Sequence, residues 1–387
     1  MGIKGLTKFI RDNCPHAIKE QASRKSYTGM KVAIDASMAL YQFMVAVRSA
    51  EGGAGGAAVQ MTNEAGEVTS HIVGMLSRTV RLLENGVKPV WVFDGKPPDL
   101  KSGELQKRSE AKAKAQAELK RATAEGDVET MNKMSRRMVK VTKQHNEETK
   151  QLLRLMGMPV VEAPMEAEAQ CAALAKQGFV FAAASEDMDT LCFGTPKFLR
   201  QFTAAESRKL PVLEFDLQAI LDGLELSMDQ FVDMCILFGC DYTDRIRGIG
   251  PAKAFDLIKK HGCIEKIIEN IDTEKHPVPS RFPFEEARRL FHKHEVLSSE
   301  DVNLRWGKPD EEGLKKFLIE DKQFAEERVA SYIQRIHKSK SKTSQRRMDS
   351  FFKVLPMSDS AIAAKKRKAT AAKEKAKKLK KLKSKKR

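Results

Sequence analysis

No stretch of the 387-residue chain approaches the roughly 18 consecutive apolar residues that a bilayer span requires; Phe179–Ala184 and Met38–Val47 come nearest. The first residues lack a secretion signal, because Lys4, Lys8 and Arg11 interrupt any apolar core. Leu6 stands where a myristoylation signal after Met-Gly needs Ser or Thr. Paired cysteines are missing too: residues 14, 171, 192, 235, 240 and 263 form no Cys-x-x-Cys and have no His at zinc spacing. That pattern excludes a disulfide scaffold and a zinc ribbon, and leaves reduced thiols packed as small apolar groups. The expectation is a soluble, intracellular protein without membrane contact. Acids are nearly absent from residues 365–387, which hold fourteen Lys/Arg against Glu374 alone. This tail carries +13 of the net +17 and leaves about +4 for everything before it. Too charged and too poor in apolar residues to fold, it reads as a disordered nuclear-localisation or nucleic-acid-binding segment.

What is present is an alternation of strand and helix signals. Lys31–Asp35 and Val87–Asp94 are short apolar runs, each closed by an aspartate. Helical stretches follow at Ser37–Arg48 and His71–Glu84, the second stopped by Asn85-Gly86, with a flexible Gly-rich loop at Glu51–Ala58 between them. Residues 101–145 hold twelve Lys/Arg and six Asp/Glu among good helix formers with little to bury. A helical hairpin standing away from the core fits, with its break near Glu125-Gly126-Asp127. The alternation resumes at Met158–Glu162, Ala167–Gln177 and Phe179–Ala184, and a helix ending at Gly239 carries Met228, Phe231, Cys235 and Phe238 on one face. Residues 245–338 read as mainly helical. The fold class is α/β, with a central, mainly parallel sheet flanked by helices.

In such sheets ligands bind beyond the carboxyl ends of the strands. Asp35 and Asp94 stand there, and Asp187 and Asp189 follow the third run. In an extended loop residues i and i+2 share a side, so Asp187 and Asp189 converge while Glu186 points away. Glu166 and Glu168 are ambiguous. Acids at a helix start are stabilised wherever they occur, and two apart on a helix they diverge by about 200°. Asp241 follows a helix C-terminus, where an anion is disfavoured, so a positive group belongs beside it. Converging carboxylates need protons or metal ions as counter-charge. All-oxygen ligands point to Mg²⁺ or Mn²⁺, and seven acids suit two ions about 4 Å apart, the arrangement that hydrolyses phosphodiesters.

The basic elements complement this. Lys101 and Arg108 lie seven apart on one helix face, close enough in sequence to Asp94 to act on a scissile phosphate. In Arg247–Ala254, Gly248 and Gly250 free backbone N–H groups for a phosphate at the start of the next helix, and Lys253 adds charge. This helix-hairpin-helix type motif would position a duplex without reading its sequence. In Gln345–Phe352, Gln345 is followed at three, six and seven residues by Met348, Phe351 and Phe352, which would share one helical turn with no core of its own and suggest docking into a partner's groove.

Six segments in order, MGIKGL (1–6), VAIDAS (32–37), WVFDGKPP (91–98), MEAEA (165–169), SEDMD (185–189) and GCDYTDRIRGIGP (239–251), resemble the flap endonuclease family over roughly residues 1–353. The resemblance implies a PIN-like 5′ nuclease fold divided into N-terminal nuclease region 1–108, helical arch 101–145, internal nuclease region 130–261, C-terminal helical region 262–338 and tail 339–387. It implies that Asp35, Asp94, Glu166, Glu168, Asp187, Asp189 and Asp241 hold two Mg²⁺ directly or through water, with Mn²⁺ able to substitute. Lys101 and Arg108 would act on the scissile phosphate, and a 5′ single strand would thread the arch. Tyr41 would stack on a nucleotide, and Arg48, Arg78, Glu166, Gly239, Asp241, Gly248, Gly250 and Lys253 would contact DNA. Residues 345–352 match the family's box for the sliding clamp, proliferating cell nuclear antigen. A monomer in the nucleus, including the nucleolus, and also in mitochondria is implied. Two departures stand out: Glu51–Ala58 is longer than the family usual, and Cys240 replaces a usual Ser.

The expected activity is cleavage of 5′ flaps with associated 5′→3′ exonuclease action, in Okazaki-fragment maturation and long-patch base excision repair. Sister nucleases acting on bubbles or recessed ends compete with this reading, although bubble cutters carry far larger insertions than about 45 arch residues. A non-catalytic, clamp-tethered DNA-binding protein is the rival from another class.

Overall fold

The computed structural model describes residues 2–50, 62 and 66–341, with side chains 47–50, 340 and 341 left aside. Seven strands form one mixed sheet: β1 Ile18–Gln21, β2 Lys31–Asp35, β3 Lys88–Phe93, β4 Val160–Glu162, β5 Ala182–Ala184, β6 Lys197–Arg200 and β7 Val212–Asp216, in the order β1-β7-β6-β5-β2-β3-β4. From β6 through β4 all neighbours run parallel, whereas β7 is antiparallel to both β6 and β1. The expected parallel centre is present with an antiparallel edge added.

Alternation along the central strands explains how the sheet is buried on both faces. Val32, Ile34, Trp91, Phe93, Ala182 and Ala184 point to one face and pack with residues from helices Ser70–Glu84, Lys143–Leu155 and Glu326–Ser341. Ala33, Val90, Val92 and Ala183 point to the other, under helix Ala167–Lys176. Trp91 and Phe93 are wholly buried, and each such side chain contributes about 1.5–3 kcal/mol. Phe198 and Phe215 extend the core towards helices Leu6–Asn13, Met228–Phe238 and Pro251–His261.

The run Phe179–Ala184 is only half strand. Phe179 and Val180 N–H both donate to Leu174 O, closing the preceding helix, and pairing starts at Ala182. The charged segment forms the expected hairpin: helix Ser102–Glu125 ends at Gly126 with φ +72°, and Asp127 caps helix Val128–Arg137 by accepting from Thr130 N–H at 3.0 Å. Ala115, Ala122 and Met134 are its buried side chains within those helices, and the second limb also packs against helix Ala36–Ala50. Among the described residues no helix is long and apolar enough to cross a membrane, and all six cysteines are free thiols. Glu51–Ala58, Gln345–Phe352 and the basic run lie outside the described residues.

Candidate active site

Asp35 ends β2 with its carboxylate held by Met38 N–H at 2.9 Å and Ser185 Oγ at 3.0 Å. Asp94, one residue beyond β3, accepts from Ala167 N–H at 2.8 Å and so caps the helix that Glu166 and Glu168 begin. Gly95 permits this approach: it donates to Met165 O at 2.6 Å, and a Cβ there would lie 2.2 Å from Ala163 O.

The expected divergence of Glu166 and Glu168 does not arise, because Glu166 is the N-cap with extended backbone angles rather than a helical residue. It turns towards Lys101, whose Nζ donates at 2.5 Å, and towards the Tyr242 hydroxyl, which donates to its other oxygen. His294 Nε2 stands 3.6 Å from that same oxygen, outside hydrogen-bond range. Glu168 instead lies among the aspartates. Burial, then Asp35, Asp94 and Asp187, hold its carboxyl well above the usual range, with Lys101 opposing.

Asp187 and Asp189 converge, although not through an extended loop. Asp189 opens the short helix Asp189–Cys192 and its N–H donates to Asp187 Oδ1 at 3.1 Å, a tight turn that brings the pair together. Glu186 does point away, accepting from Gln201 N–H at 2.7 Å. Asp189 also accepts from Ile3 N–H at 2.8 Å, and Gly2 (φ +71°) is pressed against both acids. Asp241, beyond the helix end as expected, finds its compensating charges in Arg108 Nη2 at 2.7 Å and Lys101 Nζ at 3.5 Å.

Electrostatics joins Asp35, Asp94, Glu168, Asp187, Asp189 and Asp241 into one group, and Lys101 ties Glu166 to it. Burial and then Asp94 push Asp35 up to about 7. Burial raises Asp187 with Asp241 adding to it, and burial, Asp187 and Asp241 raise Asp189. On Lys101 burial opposes the charge, but Glu166, Glu168 and Asp241 together lift it above an ordinary lysine. Among the described residues, no three His, Cys, Asp or Glu side chains form a ready-made metal ligand set as placed. The donor chemistry nonetheless fits a hard cation. Buried carboxylates that hold one another's protons are relieved by an oxygen-seeking ion of high charge.

Beside the acids opens a cleft of about 870 Å³, walled by the arch base and the hairpin, with Lys4, Lys107, Arg245, Arg247 and Arg281 on its lining. Gly248 (φ +78°) and Gly250 line it as well, and Gly250 caps helix Pro251–His261 with open space where a Cβ would be. Lys253 is exposed on the first turn. Gly239 (φ +101°) is crossed by Arg245 Cδ, 2.4 Å from a would-be Cβ. Tyr41 is 36% exposed on the helix that starts beside Asp35. The Arg48 side chain falls outside the description. Arg78 is not at the surface: at 8% exposure its Nε donates to Thr203 O at 3.1 Å and its guanidinium lies 4.9 Å from the Phe43 ring centroid. Burial, then Arg81, lowers its pKa to about 9.

Sequence reasoning missed Tyr242, His294, Ser185 and Gly2. Tyr242 lies within the GCDYTDRIRGIGP segment, so its neighbourhood was marked, whereas nothing local marks His294.

Comparison with known proteins agrees with this geometry. Residues 1–115 match the XPG N-terminal domain and residues 157–241 the XPG I-region. Flap endonuclease 1 of Aedes aegypti is 58% identical over 92% of each chain, and that of Macaca fascicularis 55% over 92% of this chain and 91% of its own. Flap endonuclease-1 from Methanococcus jannaschii superposes with a TM-score of 0.63 at 33% identity, covering 84% of this chain and 97% of that one. The Rad2 catalytic core in complex with DNA substrate gives 0.64 at 25% identity, over 84% and 98%. With an acid cluster at the strand ends, an arch beside it and relatives matched along nearly their whole length, the chain belongs to the flap endonuclease family.

Proposed function

We propose that the chain is a structure-specific 5′ flap endonuclease with 5′→3′ exonuclease activity, cutting DNA at the base of 5′ flaps in Okazaki-fragment maturation and long-patch base excision repair. The observation that carries this reading is the meeting of Lys101 and Arg108, from the arch base, with Glu166 and Asp241 of the acid cluster. Donors on the strand-restricting element and acids on the sheet thus share one reaction space.

Asp35, Asp94, Glu166, Glu168, Asp187, Asp189 and Asp241 would hold two Mg²⁺, with Mn²⁺ able to substitute. Bound there, the ions supply an activated water and stabilise the leaving oxygen. Lys101 and Arg108 carry N–H donors that can pass from carboxylate to phosphate oxygen and stabilise charge developing there. Tyr41 offers a face on which a nucleotide stacks. Gly248, Gly250 and Lys253 grip duplex phosphates, which positions the DNA and reads its shape. Residues 345–352 dock on the sliding clamp and the basic tail directs a monomeric enzyme to the nucleus, with a share in mitochondria.

Asp187→Ala should abolish cleavage in Mg²⁺ while 5′ flap binding, measured by anisotropy, persists; full activity in that variant would sink the metal assignment. Rates on 5′ flap, bubble and nicked substrates measured side by side should favour the flap, and preference for a bubble would overturn the substrate assignment.

A further inference from the structure

Residues 272–276 lie apart in sequence from the hairpin but against it in space. Asp272 accepts from Glu274 N–H at 3.1 Å and Lys275 N–H at 3.3 Å, and His276 N–H closes the turn on Asp272 O at 2.9 Å. This fixes the His276 imidazole over the hairpin: Nδ1 lies 3.0 Å from Arg247 O and Nε2 contacts the Lys253 ammonium. The partners dictate the proton. A carbonyl only accepts and an ammonium only donates, so Nδ1 carries the hydrogen and Nε2 receives one from Lys253. Both ring nitrogens are then satisfied by one neutral tautomer.

Gly248 belongs to the same arrangement. Its φ of +78° favours glycine, and a Cβ would stand 2.7 Å from His276 Nδ1, so the ring takes the space a side chain would occupy. Gly250, by contrast, faces open space. The ammonium of Lys253 keeps two N–H donors beyond the one given to His276. A lysine otherwise free to sample many rotamers is fixed beside the turn at the start of helix Pro251–His261.

We propose that His276 is a positioning residue for duplex binding: it clamps the Arg247–Gly248 turn and aims Lys253, so that ammonium and backbone N–H groups meet a DNA backbone phosphate preorganised. This rests on the reading of the hairpin as a duplex-binding element. Preorganisation lowers the ordering cost of binding without adding a charge, and that separates it from the role of Lys253.

The test uses the full chain and a 5′ flap substrate with a long downstream duplex, with KM, kcat and the salt dependence of binding as readouts. His276→Ala should raise KM roughly three- to tenfold, with the loss confined to KM and the slope of log affinity against log salt kept. Lys253→Ala should reduce that slope by about one. The double variant should lose less than the sum of the two single losses, because part of the effect of His276 acts through Lys253. His276→Gln, which can place an acceptor near the Nε2 position, should recover more affinity than His276→Asn, which can replace only the donor to Arg247. An unchanged KM in His276→Ala, full additivity with Lys253→Ala, or equal behaviour of the Asn and Gln variants would each overturn the role of His276. If Lys253→Ala itself left KM and salt slope untouched, the duplex-binding reading would fall with it.

Discussion

Replacing Gly2 by Ala puts a methyl group where there is no room. The Cβ would lie 1.7 Å from Asp187 Oδ1 and 2.2 Å from Asp189 Oδ1, against the 3.0 Å that real Cβ contacts respect. If the backbone stays, Asp187 Oδ1 must retreat by about 1.3 Å and Asp189 Oδ1 by about 0.8 Å, and about 1 Å of misplacement at a reacting centre costs on the order of a hundredfold in rate. The left-handed φ of +71° adds about 1–2 kcal/mol for any L side chain. The alternative response, a swing of the N-terminal segment, must break the Ile3 N–H bond to Asp189. Single-turnover cleavage of a 5′ flap should therefore fall about a hundredfold in Gly2→Ala, while the melting temperature shifts by only a few degrees. Cleavage within threefold of the parent would show that residue 2 yields without disturbing the acids, and would refute the reasoning.

Lys101→Met should slow single-turnover cleavage by roughly a hundred- to a thousandfold if its ammonium stabilises developing phosphate charge; a loss under fivefold in rapid-quench assays would argue against that role. His71 is buried with Nε2 2.7 Å from Glu148 Oε2 and its ring stacked on His145 at 4.4 Å. Burial, then His145, lowers its pKa to about 4. At His71 the folded state thus binds fewer protons than the unfolded one between about pH 6.5 and 4, so this residue subtracts stability as pH drops through that window, by at most roughly 3 kcal/mol, against the raised carboxyls of the acid cluster, which act in the opposite sense. Denaturant melts of the parent and of His71→Phe should differ by this contribution, the parent losing more stability between about pH 6.5 and 4; identical pH dependence in the two would remove His71 as a source. Deleting residues 345–352 should abolish clamp stimulation and spare basal cleavage in a paired assay, and undiminished stimulation would refute the docking role.

What the sequence made legible was whatever physics is local. β2 coincides with Lys31–Asp35 and β3 lies inside Val87–Asp94 because both are continuous apolar runs, so Asp35 and Asp94 could be placed at strand ends directly. β1, Ile18–Gln21, shows no such run: only Ile18 is buried, and the segment is a strand because β7 pairs with it. Asp241 could be given a cationic neighbour from the helix end alone, but not the identity of Arg108, which lies 133 residues away. Glu166 was illegible for a different reason. One residue decides whether an acid at a helix start is a cap or a helical side chain, and the two point different ways. Resemblance retained Glu166 as a site residue; the N-cap geometry explains how it can serve there.

The pairing of Lys101 and Arg108 with the acids also limits what single substitutions can separate. Those cations are ties between the arch limb and the acid cluster as well as the proposed donors for chemistry, while the buried side chains of the two arch helices are just Ala115, Ala122 and Met134. On the proposed reading the doorway and the blade share their fastenings, so altering either cation would change admission and cutting at once. An enzyme redesigned to accept bulkier strand ends would instead be altered at the Gly126–Asp127 junction, where the limbs turn and none of the acid cluster's partners reside.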